Sequence, residues 1–309
     1  MHVAVVIVGF RNPGDVRACL AALAKSSYPD FEVAICENGG QQAFDNLRAV
    51  LHDHLPGGQP IRIVAADRNL GFAGGVNLAM GLAPQADAWW ILNPDTEAAP
   101  DALGHCVARL SRGDCEAVGC VLFTPDGRVQ SYGGRWQVGM ARALSLGNGA
   151  QLSAPVDAAI VERSQSYLNG AAMLIGRRFR ETAGDMREDY FLYCEEIEWC
   201  LRARRMGMRL GFAPEAQVLH HVGATTGAGM SFRQMPKTPV YLNVRNRILM
   251  TRDLWPNLTL LIALTSLVAT LARFARRGAW RQIGFAVDGW FAGLRDARGP
   301  PDWIPLNPN

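Results

Sequence analysis

The sequence predicts an α/β fold with a mostly parallel central sheet. Three short apolar runs, at residues 3–8, 31–36 and 61–65, have the β-branched composition of buried strands. Apolar residues recur at helical spacing between these runs, so strands and helices alternate as in parallel βαβ units. The chain has 309 residues, of which 49% are hydrophobic and 19% charged, and it can bury the core that such a sheet needs.

A fourth apolar run, residues 89–92, stops abruptly at Asn93-Pro94-Asp95-Thr96. Proline cannot donate a hydrogen bond to a sheet, so the strand should end there and present the Asp95 carboxylate. Ligands of open α/β sheets bind at such strand ends, and we expect Asp95 to act on a charged small molecule through a metal ion. A simple turn that starts the next helix is the alternative reading of this stretch.

The third strand is followed by Asn69-Leu70-Gly71-Phe72-Ala73-Gly74-Gly75-Val76-Asn77, which opens a helix. Glycines at a strand-to-helix turn allow backbone N–H groups to approach a phosphate or a ribose closely. The spacing matches neither the dinucleotide-binding nor the P-loop signature, so a purely structural tight turn remains open. Further on, residues 133–155 are glycine-rich, and we expect an irregular loop that could face an acceptor.

In residues 184–199, an aromatic segment is followed by a predicted helix whose first turn carries Glu195, Glu196 and Glu198. The helix dipole alone favours acids at this position, so a structural role would explain them. Glu198 has Arg202 four residues on, whereas Glu196 has a cysteine there and is the freer carboxylate. A general base must lie within hydrogen-bond reach of a substrate hydroxyl, and its pKa is set by its neighbours.

The pattern of residues 211–222 predicts a strand that ends in His220-His221. Period-two alternation sends the two rings to opposite faces, so at most one should reach the site at Asp95. A carboxylate and an imidazole at two strand ends would suit Mn²⁺ or Mg²⁺, although a lone histidine is more often structural. Residues 225–227 continue into a polar loop that could close over a ligand.

The net charge and the spacing of the cysteines argue against some classes of function. A formal net charge of +3 does not argue for nucleic acid as a partner. The seven cysteines contain no C-x-x-C pair, which argues against a disulfide framework or a zinc knuckle and favours a reducing compartment. Residues 1–8 read as a first strand rather than a signal peptide.

Together these motifs resemble the inverting family-2 glycosyltransferases of the GT-A fold, particularly the bacterial rhamnosyltransferase-like branch. The resemblance covers about residues 3–227. The matching segments follow the family's order: 5–12, Cys36-Glu37-Asn38, the glycine turn at 69–77, Asn93-Pro94-Asp95-Thr96, Asn169-Gly170-Ala171-Ala172, Glu195-Glu196-Ile197-Glu198-Trp199 and His220-His221.

The resemblance implies a nucleotide-diphospho-sugar donor, Mg²⁺ or Mn²⁺ as cofactor, and Glu196 as the base. It places Asp95 and His220 at the metal, and Glu195 and Trp199 on the acceptor side. The residues implied in donor binding are Phe10, Glu37, Asn38, Asn69, Gly71, Gly75, Asn77, Asn93 and Asp95.

The chain departs from the family pattern at four positions. Glu37 replaces the more usual aspartate, and Cys194 stands where glycine is common. Glu196 is one methylene longer than the usual aspartate, which would shift the base. Asn93 leaves Asp95 as the only carboxylate of the metal motif, so the ion would also need His220 or the donor's own phosphates.

Residues 254–272 carry no charge, and they are followed by an arginine-rich stretch, residues 273–281. We expect a GT-A domain at 1–240 and a helical region at 241–309 that lies on the cytoplasmic face of the membrane, its arginines towards anionic headgroups. The alternative is a helical pair that packs on the main domain or on another subunit of a homo-oligomer. The arginines of segment 241–247 could meet an acceptor's phosphates or cap the domain junction.

Two functions follow. The first is an inverting transferase, peripheral on the membrane, that moves rhamnose from dTDP-rhamnose to a lipid-linked or polysaccharide acceptor; the resembled branch suggests this sugar. The second is a catalytically weak GT-A protein that binds nucleotide-sugar or acts as a scaffold in a glycan-assembly complex. A sugar-nucleotidyltransferase is disfavoured, because residues 8–12 do not supply its glycine-rich loop.

Overall fold

The computed structural model of the chain describes residues 1–221 and 231–306. The loop expected at residues 225–227 therefore lies outside the described residues. The strands, β1 to β11 in chain order, span Val3–Gly9, Phe31–Glu37, Ile61–Ala65, Ala88–Leu92, Thr96–Ala98, Ala117–Phe123, Val129–Ser131, Gly134–Gln137, Arg142–Ser145, Ala172–Gly176 and Leu210–His220. The helices, α1 to α10, span Pro13–Leu23, Gln41–Arg48, Gly71–Met80, Ala102–Leu110, Ala158–Ser164, Arg177–Ala183, Glu195–Arg205, Lys237–Leu254, Thr259–Ala275 and Trp280–Leu294.

The central sheet has the order β3-β2-β1-β4-β10-β6-β11-β5, with β7 paired to β6. Strands β3, β2, β1 and β4 are parallel to one another, as the βαβ pattern predicts. The other half is mixed, because β10 runs antiparallel to both β4 and β6 whereas β11 runs parallel to β6. The predicted α/β fold is confirmed, and only the first half of the sheet is wholly parallel.

Both faces of the sheet are buried, which explains the continuous apolar runs. On β4, Trp89 and Ile91 pack into one core, and Trp90 and Leu92 pack into the core on the opposite face. Successive side chains of a strand point to opposite faces, so a strand covered on both sides is apolar throughout. Most polar residues of this part of the chain therefore lie in the turns that follow the parallel strands.

Two sequence expectations about connecting segments are wrong. Residues 133–155 are not an irregular loop, because β8 and β9 pair antiparallel as a hairpin within them. The turn after β4 does not lead directly into a helix, because residues 96–98 form β5, which pairs antiparallel with β11. This pairing brings the end of β11 next to the Asn93-Pro94-Asp95 turn.

The C-terminal helices share a core with the sheet domain. Leu249, Met250 and Leu254 of α8 and Ile262 of α9 belong to the same buried cluster as Trp89 of the sheet. Helices α8 and α9 therefore both contribute side chains to the core of the sheet domain. In the described part of the chain, one helical stretch, Pro256–Ala275, is long and apolar enough to cross a membrane by length and composition.

Candidate active site

A cavity of about 690 Å³ opens at the carboxyl ends of the central strands. Such edges collect the polar turns that follow neighbouring strands, whose interiors are mostly apolar. The volume lies in the range of small-molecule sites in proteins. Of the residues singled out from the sequence, the cavity is lined by Phe10, Asn38, Asn69, Gly71, Asn93, Asp95 and His220.

The glycine turn at the start of α3 is held by two amide side chains. Asn38 accepts a hydrogen bond from the Leu70 N–H at 2.8 Å and donates one to the Gly71 carbonyl oxygen at 2.8 Å. Asn69 accepts a hydrogen bond from the Gly71 N–H at 3.0 Å. The turn is therefore fixed before any ligand arrives.

Gly71 is required at its position for two reasons. Its φ of +72° lies in the left-handed region that side chains disfavour. A Cβ atom there would also lie 2.0 Å from the carbonyl oxygen of Phe191, which accepts a hydrogen bond from the Phe72 N–H at 2.8 Å. The turn thus packs directly on the segment that leads into the acidic helix α7.

His220 and Asp95 meet at the wall of the cavity. The His220 Nε2 lies 3.3 Å from the Asp95 Oδ1, and its Nδ1 lies 2.8 Å from the Gln130 Oε1. His221 points away from the cavity and pairs with the exposed Glu97 at 2.8 Å. The strand alternation predicted for the two histidines is observed, and His220 is the one at the cavity.

This pair fits a divalent cation. The His220 Nε2 and the Asp95 Oδ1 lie 3.3 Å apart, so one ion could contact both groups. Carboxylate oxygen and imidazole nitrogen suit Mn²⁺ or Mg²⁺. The described residues contain no group of three or more His, Cys, Asp or Glu that could hold a metal. Water and the oxygens of a bound diphosphate could supply further ligands to such an ion.

Glu37 does not line the cavity, contrary to its implied contact with the nucleoside. It is fully buried, and its Oε1 accepts hydrogen bonds from the backbone N–H groups of Arg11 at 3.0 Å and Gly39 at 2.8 Å. Its Oε2 has no hydrogen-bond partner among the described residues, and burial raises the pKa of Glu37. Glu37 stabilises the loops after β1 and β2, because its buried carboxylate accepts a hydrogen bond from a backbone N–H group of each loop.

Gly75 and Asn77 lie behind the cavity wall and not on it. A Cβ atom at Gly75 would lie 2.6 Å from a methyl carbon of Val8, so the glycine allows α3 to pack closely on β1. Asn77 donates to the Met186 carbonyl oxygen at 2.8 Å and accepts from the Met186 N–H at 3.1 Å. Both residues position the glycine turn without facing the cavity.

Glu196, the predicted base, lies next to the cavity. A Cβ atom at Gly170 would contact the Glu196 Cγ at 3.3 Å and, at 3.6 Å, the ring of Phe72, which lines the cavity. Glu196 is partly exposed, and burial raises its pKa despite hydrogen bonds from the N–H groups at the start of α7.

The two residues placed on the acceptor side are buried. Only 2% of Glu195 is exposed, its Oε2 has no hydrogen-bond partner among the described residues, and burial and then the charge of Glu196 raise its pKa. Trp199 is fully buried, stacks edge-on against Phe179 at 5.0 Å and donates to the Gly184 carbonyl oxygen. The position of Trp199 does not support contact with an acceptor, because helical periodicity turns this side chain into the core.

Helix α8 holds the segment that precedes α7. The Asn246 Nδ2 lies 3.0, 2.8 and 2.7 Å from the carbonyl oxygens of Tyr190, Leu192 and Tyr193. Arg245 donates to the Tyr190 oxygen at 2.9 Å and is almost fully buried. Arg245 therefore caps the junction, which was one of the two roles open for the arginines of this segment.

Residues 303–305 form the C-terminal wall of the cavity, which no local sequence pattern predicted. Trp303, Ile304 and Pro305 line the cavity, and the Asn69 N–H donates to the Leu306 carbonyl oxygen at 2.7 Å. The Trp303 ring packs edge-on against Tyr241, with ring centroids 4.7 Å apart. A tryptophan in an otherwise polar, proline-rich tail was the only signal that this segment packs on something.

Comparison with known proteins identifies relatives of the chain. The model of a family described as "Glycosyl transferase family 2" matches residues 4–162, just over half of the chain. The chain is 27% identical over 248 residues to the N-acetylglucosaminyl-diphospho-decaprenol L-rhamnosyltransferase of Mycobacterium tuberculosis, which covers 72% of this chain and 77% of the relative.

Two further similarities bear on length and fold. The chain is 26% identical over 213 residues to the uncharacterized protein y4gI of Sinorhizobium fredii, and this match covers 66% of the chain and only 23% of y4gI. Among solved structures, the mannosyltransferase PcManGT from Pyrobaculum calidifontis, in complex with GDP-Man and Mn²⁺, superposes with a TM-score of 0.58 at 14% identity. That superposition covers 96% of this chain and 88% of PcManGT, and it shows a shared fold.

Proposed function

Because the chain belongs to glycosyl transferase family 2, we propose that it is an inverting glycosyltransferase of the hexosyltransferase type. Its donor is a nucleotide-diphospho-sugar and its acceptor is a lipid-linked or polysaccharide hydroxyl. The observation that carries the proposal is that two features lie on either side of Phe72: the cavity with the Asp95–His220 pair, and the side chain of Glu196.

The two groups divide the chemistry between them. Asp95 and His220 would hold a divalent ion, which would neutralise the charge that develops on the departing diphosphate. Glu196 accepts the proton of the acceptor hydroxyl as its oxygen attacks the anomeric carbon from the face opposite the leaving diphosphate. The sugar is transferred with inversion, because bond formation and bond cleavage occur on opposite faces of one carbon.

The environment of Glu196 suits a base. A general base works best when its pKa lies near the working pH, and burial moves the pKa of Glu196 upward from that of an exposed carboxylate. The hydrogen bonds of Asn38 and Asn69 hold the glycine turn in place, so the turn needs little ordering when the donor binds.

The identity of donor and acceptor rests on the similarity to the mycobacterial rhamnosyltransferase. We assign dTDP-rhamnose as the donor and a sugar joined through a diphosphate to a lipid as the acceptor. A lipid acceptor also agrees with α9, on which Leu260, Leu264 and Val268 are 73%, 57% and 67% exposed.

We place the enzyme on the inner face of the cell membrane, with α9 lying in the plane of the interface. One face of α9 is bound to protein, because Thr265 donates to the Gly139 carbonyl oxygen at 2.9 Å and Trp290 donates to that of Ala263 at 2.8 Å. The opposite face is apolar and exposed. A helix with this asymmetry suits partial immersion better than a span surrounded by lipid.

Calorimetry tests the donor site. The wild-type protein should bind dTDP-rhamnose more tightly with Mn²⁺ than without it, and Asp95→Asn should weaken binding by about tenfold or more, because it removes a charged ligand. The matched control is Glu97→Gln, since Glu97 pairs with the outward-facing His221 as Asp95 does with His220. Equal binding by Asp95→Asn and wild type would contradict the assigned site.

Because the metal motif has a single carboxylate, a second function is also tested. In this alternative, the chain is a catalytically weak protein that binds nucleotide-sugar within a glycan-assembly complex. Transfer to a lipid-diphosphate acceptor, followed by product analysis, separates the two functions. An enzyme forms product with inverted anomeric configuration. The alternative binds the donor with the same affinity and forms no product.

A further inference from the structure

Asn246 is a polar residue in the core, near the middle of helix α8. Its exposed fraction is 0%, although asparagine is a poorer helix former than alanine or leucine. Burying an amide also costs stability unless its polar atoms are hydrogen-bonded. Helix formation and core packing therefore do not explain an asparagine at this position, and its role must depend on what the amide contacts.

The amide of Asn246 has a fixed orientation. The Arg245 Nε donates to the Asn246 Oδ1 at 2.9 Å, so the NH₂ group points the other way. There the Nδ2 lies within 3.0 Å of the carbonyl oxygens of Tyr190, Leu192 and Tyr193. Two N–H groups thus serve three carbonyl oxygens of one short segment, residues 190–194, here called the entry segment because it leads into α7.

The entry segment has a strained backbone. The φ angles of Phe191, Tyr193 and Cys194 are +69°, +72° and +71°, in the left-handed region that side chains disfavour. Among the described residues, six non-glycine residues have a positive φ, so half of them lie in this segment. Such conformations persist only where surrounding contacts hold them. The contacts here are the Asn246 amide on one side and, on the other, the Phe72 N–H, which donates to the Phe191 carbonyl oxygen at 2.8 Å.

The path of the entry segment sets the position of Glu196. Cys194 immediately precedes the first residue of α7, and Glu196 is the second residue of that helix. A change of φ at Tyr193 or Cys194 to the right-handed region would turn the chain in another direction just before Glu196. A displacement of about 1 Å in a catalytic group can lower a rate by about 10²-fold, so the base needs a fixed entry.

We propose that Asn246 is a positioning residue for sugar transfer. Its amide holds the entry segment in the strained conformation that places Glu196 beside the cavity. This inference rests on the proposed function, in which Glu196 is the base. An asparagine suits the task, because a neutral amide donates to the carbonyl oxygens with its NH₂ group while its oxygen accepts from Arg245.

Asn246→Ala removes the donors to the entry segment. The kcat for transfer should fall by about 10²-fold, whereas KM for the nucleotide-sugar should change by less than about threefold. Donor affinity is largely preserved because Asp95 and His220 lie on other elements. The matched control is Asn243→Ala on the same helix, since Asn243 donates to the Pro239 carbonyl oxygen of its own helix. This control should keep the kcat of the wild type.

Two further variants separate positioning from general stability. Asn246→Ser keeps a hydroxyl that can donate to one carbonyl oxygen, so it is a milder change, and its kcat should lie between those of wild type and Asn246→Ala. Adding Cys194→Gly to Asn246→Ala should restore kcat by about tenfold, because glycine adopts a positive φ without the clash of a Cβ atom. Adding Cys200→Gly instead should restore nothing, since Cys200 is a buried cysteine of α7 without a positive φ. Urea denaturation measures the stability of each variant.

Three results would overturn the inference. One is an equal kcat for Asn246→Ala and Asn243→Ala. Another is a loss of donor affinity as large as the loss of kcat, which would make Asn246 a residue of the donor site. The third is an equal effect of glycine at positions 194 and 200, which would show that Asn246 acts only through stability.

The same assays separate this inference from the proposed function. If the wild type forms no product, the proposed function fails, and the role assigned to Asn246 fails with it. If the wild type transfers sugar and Glu196→Gln lowers the rate, the proposed function stands. In that case a wild-type kcat in Asn246→Ala would show that the positioning role alone is wrong.

Discussion

The two sides of the candidate active site satisfy their polar groups in opposite ways. On the donor side, Asn38, Asn69 and His220 each have a hydrogen-bond partner within the protein. Near the start of α7, the Glu195 Oε2 and the Arg247 Nε are buried without one among the described residues. A buried polar group without a partner costs about 1–3 kcal/mol. The Glu37 Oε2, next to the loops after β1 and β2, carries the same cost, whereas Asn38, Asn69 and His220 do not.

The difference separates groups that fix geometry from groups that remain available for chemistry. The paired amides hold the glycine turn in one shape, and a donor meets a site that is already formed. At the start of α7, burial raises the pKa values of Glu195 and Glu196, and the hydrogen bonds from nearby backbone N–H groups only partly oppose this effect. Three substitutions test this contrast.

The largest effect is expected for Glu196→Gln, which removes the proposed base and preserves its shape. The rate of transfer should fall by about 10²–10⁴, the usual contribution of a general base, and donor binding should not change. Single-turnover transfer assays and donor calorimetry measure the two quantities, with the exposed Glu97→Gln as the control. Full transferase activity in Glu196→Gln would show that the base is another group.

On the donor side, Gly71→Ala should break the preformed turn. The left-handed φ and the 2.0 Å approach to the Phe191 oxygen force the backbone to shift, and we expect a loss of about 2–3 kcal/mol in the free energy of unfolding together with weaker donor binding. Urea denaturation measures the first and calorimetry the second. Gly104→Ala is the control, because a Cβ atom there meets no atom within 4 Å and alanine is the better helix former. Equal stabilities of the two variants would refute the steric account.

The smallest effect concerns Glu195, and it depends on pH. The native pKa of Glu195 lies above that of the unfolded chain, so its contribution to stability is complete below the ordinary glutamate pKa and is lost as the pH rises through the raised native value. Glu195→Gln removes this loss. The stability of the variant relative to wild type should therefore increase as the pH rises through that range.

Thermal unfolding at a series of pH values measures this difference. Glu97→Gln again serves as the control, because Glu97 is exposed and pairs with His221 at the surface. A difference between Glu195→Gln and wild type that stays constant with pH would mean that Glu195 is not a buried acid in the native protein.

Most of the correct predictions from the sequence rest on local periodicity. The first four strands, the glycine turn and the alternation of His220 and His221 follow from spacings of two or 3.6 residues and from turn residues. Seven of the chosen site residues line the cavity because parallel strands bring their carboxyl ends to one edge. Glu37 and Trp199 could not be placed this way, since a polar residue at a strand end and an aromatic residue on a helix have the same local pattern whether they face a ligand or a core.

By itself, the sequence determined the α/β fold, the family and the edge of the sheet at which the polar groups collect, because each depends on residues close together in the chain. Only the tertiary structure decided which groups have partners. It buried Arg245 against the Tyr190 carbonyl and left the Nε of Arg247, two residues on, without a partner among the described residues. It also brought Trp303 onto the cavity. These outcomes depend on contacts between segments far apart in the sequence, and no local spacing encodes them.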